Sequence, residues 1–86
     1  MQDSLVVEEN THVFDARGIA RRFRHSAIFG ALGALHNGET MRFINDHDPL
    51  PLLAQLGDRF GEHLTIVYRQ RDPVVIDFGI VGLPEE

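Results

Sequence analysis

The lack of cysteine constrains this chain more than any other feature of its sequence. None of the 86 residues is a cysteine, so neither a disulfide nor a cysteine-bound zinc can hold the fold together, and no thiol chemistry is available. A chain of this length removes only about 60–65% of its unfolded surface from water, which keeps the core small. Apolar residues make up 43% of the sequence, as is typical of globular proteins. We therefore expect a single domain at residues 12–83, behind a flexible tail at residues 1–11. Its core must suffice alone or be helped by a partner or ligand.

Hydrophobic periodicity predicts four strands and two helices. Residues 26–36 and 50–60 carry apolar side chains at helical spacing, whereas residues 74–81 alternate as a strand does. The predicted order is β-α-β-α-β-β, with strands at residues 12–17, 40–44, 64–69 and 74–81. Short strands with both helices on one face form a two-layer α/β sandwich. We therefore predict an α+β fold in which a four-stranded mixed sheet carries two helices on one face.

Local signals also predict where the helices begin and end. Ser26 precedes the first helical run and is expected to be its N-cap, which places residues 18–25 in an arginine-rich loop. Asp48 is expected to cap the second helix, because the helix dipole favours an acidic side chain at that position. Asn37 and Gly38 accept the left-handed conformation and are expected to end the first helix.

The charge distribution argues against nucleic-acid binding. The net charge is −5 and no lysine is present, whereas a nucleic-acid-binding protein needs a basic surface.

No segment approaches the roughly 20 apolar residues that a membrane span requires. The sequence also begins without the pattern of a secretory signal peptide. We therefore expect a soluble, cytoplasmic protein.

Half of the eight basic residues lie at residues 17–24, next to His25. This cluster is predicted to lie where the first helix begins, and backbone N–H groups at a helix N-terminus attract anions. A carboxylate or phosphate ligand, or an acidic patch on a partner protein, would fit there. Alternatively, the arginines pair in a solvated loop with acids of this chain, namely Asp15, Asp46 and Asp48. The sequence leaves both interpretations open.

Two strings resemble an uncharacterised bacterial family, DUF2249. They are RHSAIF at residues 24–29 and NDHDPLPL at residues 45–52, and DARG at residues 15–18 also fits the family's opening. The family usually has proline at the position of Ser26. The resemblance covers residues 12–81 and implies membership of the TusA/SirA-like superfamily, whose β-α-β-α-β-β sandwich agrees with the predicted order. TusA-type sulfur carriers have a Cys-Pro pair before the first helix. This chain has no thiolate to carry sulfur, so that activity is not implied here.

Two histidines lie in the segments that carry this resemblance, His25 at residues 24–29 and His47 in the 45–49 loop. The predicted order places His25 and His47 near one edge of the sheet, where together with Asp46 or Asp48 they could ligate iron, zinc or copper, or a haem. Alternatively, His25 caps the first helix and His47 orders the loop through bonds to the backbone. No His-x-x-x-His spacing supports the metal interpretation.

We expect a small non-enzymatic binding or protein-interaction module. Its partner would be a protein or a small anionic ligand, and its candidate surface comprises Arg17, Arg24, His25, Asn45, Asp46, His47 and Asp48. The alternative is an accessory metal- or haem-binding domain in redox or metallocofactor metabolism that uses His25 and His47. A catalytic role with either histidine as a general base has the least support. A homodimer, across the open sheet face or along an edge strand, is left open.

Overall fold

The computed structural model describes residues 10–84, so most of the predicted tail at residues 1–11 lies outside the described residues. The main elements are β1 (Thr11–Asp15), α1 (Arg21–Gly33), β2 (Thr40–Asn45), α2 (Leu50–Phe60), β3 (Leu64–Arg71) and β4 (Val74–Ile80). Single 3-10 turns at Ala16–Gly18 and Gly61–His63 follow β1 and α2. The predicted β-α-β-α-β-β order is confirmed.

The four strands form one mixed sheet in the order β1-β2-β4-β3. β1 and β2 are parallel, whereas β2–β4 and β4–β3 are antiparallel pairs. A parallel pair needs a crossover connection, which α1 provides between β1 and β2. The structure therefore confirms an α+β fold with a four-stranded mixed sheet and two helices.

The core lies between the helices and one face of the sheet. The predicted alternation in β4 is confirmed, because its even-numbered residues are all buried: Val74, Ile76, Phe78 and Ile80. Met41 and Phe43 of β2 oppose Phe78 and Ile76 and lie on the same face. Both helices pack their buried leucine and isoleucine side chains against this face: Ile28, Leu32, Leu52 and Leu56. Each such side chain contributes about 1.5–3 kcal/mol when it is removed from water.

The prediction for the start of the first helix is wrong. α1 begins at Arg21 rather than residue 26, so Ser26 lies inside the helix and does not cap it. Its N-cap is Ala20, which makes no side-chain capping hydrogen bond. The physical reason is that arginine is a good helix former. The basic run that resembled a loop therefore forms the first turns of the helix.

The first helix also ends earlier than predicted. α1 ends at Gly33, a poor helix former, rather than at residue 36. Asn37 instead binds the chain after β4, because its amide donates to the Leu83 carbonyl and accepts from the Leu83 N–H, both at 2.8 Å. Gly38 does adopt the left-handed conformation, with φ of 87°, in the turn before β2.

All four strands differ from prediction at an end. β2 runs one residue further, to Asn45, and β4 ends one residue earlier, at Ile80. β1 ends at Asp15 because the Asp15 carboxylate accepts the Arg17 N–H at 3.1 Å and starts a 3-10 turn. β3 extends to Arg71, and its pairing with β4 is interrupted by a bulge between Tyr68 and Gln70. Apart from these ends, α2 has the predicted bounds, flanked by Pro49 and Gly61.

Candidate functional site

A largely buried arginine joins the start of α1 to the carboxyl end of β2. The Arg24 guanidinium donates to the Ile19 carbonyl at 2.7 Å, to Asn45 Oδ1 at 3.1 Å and to Asp46 Oδ1 at 3.4 Å. The Arg24 side chain is only 11% exposed and Asn45 only 3%. Buried polar groups are expensive to leave unpaired, so Arg24 acts as a brace between the two elements. A ligand that bound Arg24 would have to displace these contacts.

Asp46 and His47, which follow Asn45, form an exposed hydrogen-bonded pair on the rim of this brace. His47 Nδ1 lies 2.6 Å from Asp46 Oδ1. The hydrogen bond from His47, and after it the charge of Arg24, lowers the pKa of the Asp46 carboxyl below its usual value. The Asn45 amide donates to the His47 carbonyl at 2.9 Å and closes the turn. Asp46 therefore stays ionised and orients the His47 ring.

A pocket of about 170 Å³ opens beside the brace, between the first turns of α1 and the start of α2. We call it the α1–β2 pocket. Its floor is apolar and buried, formed by Ile28, Phe43 and Leu52. Its remaining lining residues are polar side chains and prolines: Arg21, Arg24, His25, Asn45, His47, Pro49 and Pro51. Pockets for drug-sized ligands measure about 300–1,000 Å³, so this one suits a single side chain or a small ion.

Two of the polar residues lining the α1–β2 pocket are exposed and uncommitted. Among the described residues, neither Arg21 nor His25 has a hydrogen-bond or ion-pair partner, whereas Arg24 and His47 are engaged with Asp46. The local positive charge at this pocket is therefore available to a ligand. Because α1 begins without a side-chain cap, its first backbone N–H groups add to the attraction for an anion.

The structure brings together five of the seven predicted site residues. Four of them line the α1–β2 pocket, and Asp46 lies against them: Arg24, His25, Asn45 and His47. Arg17 does not line it. Its guanidinium forms a two-bond pair with Asp15 at 2.9 and 2.7 Å, and this pairing lowers the pKa of Asp15 to about 2.

The prediction for Asp48 as the cap of α2 is wrong. The N-cap is Pro49, and no side chain caps the helix. The Asp48 carboxylate instead accepts the Tyr68 hydroxyl at 2.5 Å, and this hydrogen bond raises the pKa of Tyr68. Arg71 lies 3.6 Å from the other Asp48 oxygen and 4.0 Å above the Tyr68 ring. A partner 20 residues away in β3 thus outcompetes the local cap.

Sequence reasoning missed Arg21 as a residue of the pocket. A signal for it exists, because Arg21, His25, Ile28 and Leu32 follow at the helical spacing of one face. Extending the first helix by five residues would have placed Arg21 beside His25. No comparable local signal identifies Tyr68 or Arg71, whose contacts with Asp48 are long-range.

The two predicted metal ligands share the pocket, but a third does not join them. His25 and His47 both line it. Within residues 10–84, no group of three or more histidine, aspartate or glutamate side chains is placed to hold a metal ion. Asp46, the nearest acid, is already bonded to His47.

A second, larger cavity of about 380 Å³ lies between β1 and the carboxyl half of α1. Its polar lining residues are His12, His36 and Glu39. The Glu39 carboxylate is already engaged, because it contacts the His12 ring at 3.0 Å and accepts the His36 backbone N–H at 2.6 Å. The bond from His36, followed by that from His12, lowers the pKa of Glu39. None of the described residues that line this cavity is an arginine, whereas Arg21 and Arg24 line the α1–β2 pocket.

In the described part of the chain, no helix is both long and apolar enough to cross a membrane. A family model described as an uncharacterized conserved protein, DUF2249, matches residues 13–81, which is most of the chain. No curated protein and no solved structure matches the chain.

Proposed function

We propose, from the premise that this chain belongs to the DUF2249 family of uncharacterised conserved proteins, that it is a non-enzymatic protein-interaction module. Its α1–β2 pocket would hold a single carboxylate side chain presented by a partner protein. The observation that carries this proposal is the pair of uncommitted cationic or protonatable side chains, Arg21 and His25, beside an apolar floor.

The surrounding charges support a carboxylate as the ligand. The whole chain carries a net charge of −5, so the basic start of α1 is a local exception. Arg24 is already bonded to Asn45 and Asp46, so Arg21 and His25 are the groups that would contact the ligand. A carboxylate can accept two parallel bonds from a guanidinium, which Arg21 offers at the edge of the pocket. The small volume favours one side chain over a larger ligand.

A protein partner is favoured over a free small anion because of the apolar part of the pocket. Ile28, Phe43 and Leu52 present hydrocarbon next to the charged groups. The aliphatic stem of a glutamate side chain would cover these atoms, and each CH₂ removed from water contributes about 0.8 kcal/mol. Phosphate and acetate lack such a stem.

The proposal is tested by amide NMR titration of the full chain with two capped tripeptides, acetyl-Ala-Glu-Ala-amide and acetyl-Ala-Gln-Ala-amide. We expect saturable shifts at residues 21–25 and 45–49 with the glutamate peptide alone. Arg21→Gln and His25→Gln should remove them. Arg22→Gln is the matched control, because Arg22 stacks on Phe23 and does not line the pocket. Equal shifts with both peptides, or equal losses in the control, would contradict the proposal.

Sodium acetate separates a protein ligand from a free anion in the same experiment. We expect acetate to bind at the same residues with at least about tenfold lower affinity, because it lacks the glutamate stem and the flanking backbone. If acetate binds as tightly as the glutamate peptide, the pocket is a small-anion site and the protein-interaction proposal fails.

A second candidate function, accessory metal binding in redox or metallocofactor metabolism, is favoured by the shared position of His25 and His47. The pocket volume suits a metal ion rather than a haem. Titration with Zn(II) or Fe(II) tests it through the histidine ring signals. Stoichiometric shifts at both rings, lost in His25→Gln and in His47→Gln, would support a metal site. Shifts spread over His12, His36 and His63 would exclude it.

A further inference from the structure

Within residues 10–84, no other strand covers the outer edge of β3, which is eight residues long. β3 occupies one side of the sheet, and the five-residue β1 occupies the other. Ile66 and Val67, on opposite faces of β3, are 40% and 49% exposed. A long edge with exposed apolar side chains is a template for a further strand.

The hydrogen bonds at the end of β4 determine which β3 residues direct their backbone groups outward. The Ile80 N–H donates to the Glu39 carbonyl at 3.1 Å, and the Ile80 carbonyl accepts the Gly38 N–H at 2.8 Å. Ile80 therefore faces away from β3. The following N–H, of Val81, donates to the His63 carbonyl at 3.0 Å and faces β3.

This alternation continues along the antiparallel pair. Leu64 opposes Ile80, so its backbone groups also point away from β4. Every second residue of β3 from Leu64 onward points its backbone N–H and C=O groups in the same direction. The N–H and C=O groups at the free edge therefore belong to alternate residues of β3: Leu64, Ile66 and Tyr68.

We propose that this edge pairs with β3 of a second copy of the chain, antiparallel and about a twofold axis at Ile66. Ile66 would then face its own copy, and Leu64 would face Tyr68 of the other chain. Each of these pairs consists of residues whose backbone groups point outward, so each exchanges two hydrogen bonds. On the other sheet face Thr65 would oppose Val67. Aromatic, aliphatic and β-branched residues would thus meet across the axis, which stabilises antiparallel pairs.

The ends of β3 carry complementary charges for this arrangement. The bulge after Tyr68 lies beyond the paired residues and leaves them regular. Past the bulge, the Arg71 side chain lies 3.6 Å from Asp48 and is still 72% exposed. It would lie opposite the Gly61–His63 turn of the second copy. Glu62 in that turn is exposed and has no hydrogen-bond or ion-pair partner among residues 10–84. This charge match favours a second copy over an unrelated strand.

Sedimentation velocity of the full chain over a range of concentrations tests the pairing. We expect a monomer–dimer equilibrium, and we expect Ile66→Lys to raise the dimer Kd by roughly tenfold or more because two ammonium groups would meet at the axis. Val13→Lys is the matched control, since Val13 is an exposed β-branched residue on the opposite edge strand. A monomer at all concentrations, or a dimer that Ile66→Lys leaves intact, would overturn the proposal.

A charge exchange tests the register independently. Arg71→Glu should weaken the dimer by roughly two- to fivefold, and adding Glu62→Arg should restore it. Failure of the double variant to recover would exclude this register. Circular dichroism confirms that each variant is folded.

Amide hydrogen exchange provides a readout within β3 itself. In the dimer the outward N–H groups of Leu64, Ile66 and Tyr68 should become protected as concentration rises. Those of Thr65 and Val67 bond to β4 and should be protected at every concentration. Uniform protection along β3 at low concentration, or none gained at high concentration, would contradict the proposed pairing.

Discussion

The two ends of β2 use the same kinds of polar groups in different surroundings. At its carboxyl end, the largely buried Arg24 side chain bonds Asn45 and the Ile19 carbonyl. At its amino end, Glu39 contacts His12 on the surface of the protein. Buried polar groups depend on their partners because water cannot replace them, whereas exposed pairs contribute little. The polar groups at the carboxyl end of β2 are therefore engaged in the fold. Of the described polar side chains around the α1–β2 pocket, Arg21 and His25 of α1 are the ones without a hydrogen-bond or ion-pair partner.

The largest effect on stability is expected when the brace, the Arg24 side chain, is removed. We expect Arg24→Ala to lower the free energy of unfolding by about 2–4 kcal/mol, because it leaves the buried Asn45 side chain and the Ile19 carbonyl without a donor. Urea denaturation followed by circular dichroism measures the change. Arg22→Ala is the control and should cost less than about 0.5 kcal/mol, since Arg22 is exposed. Similar losses in the two variants would show that Arg24 is not a brace.

The fold was more predictable than this site for physical reasons. Strand β4 alternates in burial from Val74 to Phe78 because one face is buried against both helices, and α2 is bounded by Pro49 and Gly61. Such patterns depend on neighbours in sequence. The start of α1 was misjudged because the arginine run suits both a charged loop and a helix, and arginine's helix propensity decided between them.

The site depends instead on contacts between residues far apart in sequence. Arg24 meets Asn45 across 21 residues, and Asp48 meets Tyr68 across 20. The sequence placed Arg24, Asn45 and His47 near one edge of the sheet because the element order does so. It could not reveal that Asp48 prefers a hydroxyl in β3 to the N-terminus of α2, since local capping rules take no account of a distant competitor.

An intermediate effect is expected at the contact between Asp48 and Tyr68. Asp48 lies at the same carboxyl end of β2 as the brace but is only half-buried. Tyr68→Phe removes the hydroxyl that donates to Asp48 and should lower the free energy of unfolding by about 1 kcal/mol. Thermal and urea denaturation measure it. The loss should fall between those of Arg24→Ala and Arg22→Ala. A loss as large as that of Arg24→Ala would mean that burial does not rank these contacts.

The smallest effect is expected at the amino end of β2, where His12→Gln removes one partner of Glu39. The native pKa of Glu39 lies below its unfolded value of 4.5, so its contacts stabilise the fold above that pH and are lost as the pH falls through the native pKa. The His36 N–H is the larger cause of the lowered pKa and remains in the variant. We therefore expect the Glu39 pKa to rise only part of the way to 4.5, as followed by carboxyl ¹³C NMR, while the pKa of Asp15 stays at about 2. A Glu39 pKa that returned fully to its unfolded value would show that the exposed histidine ring, and not the backbone, holds this end of the strand.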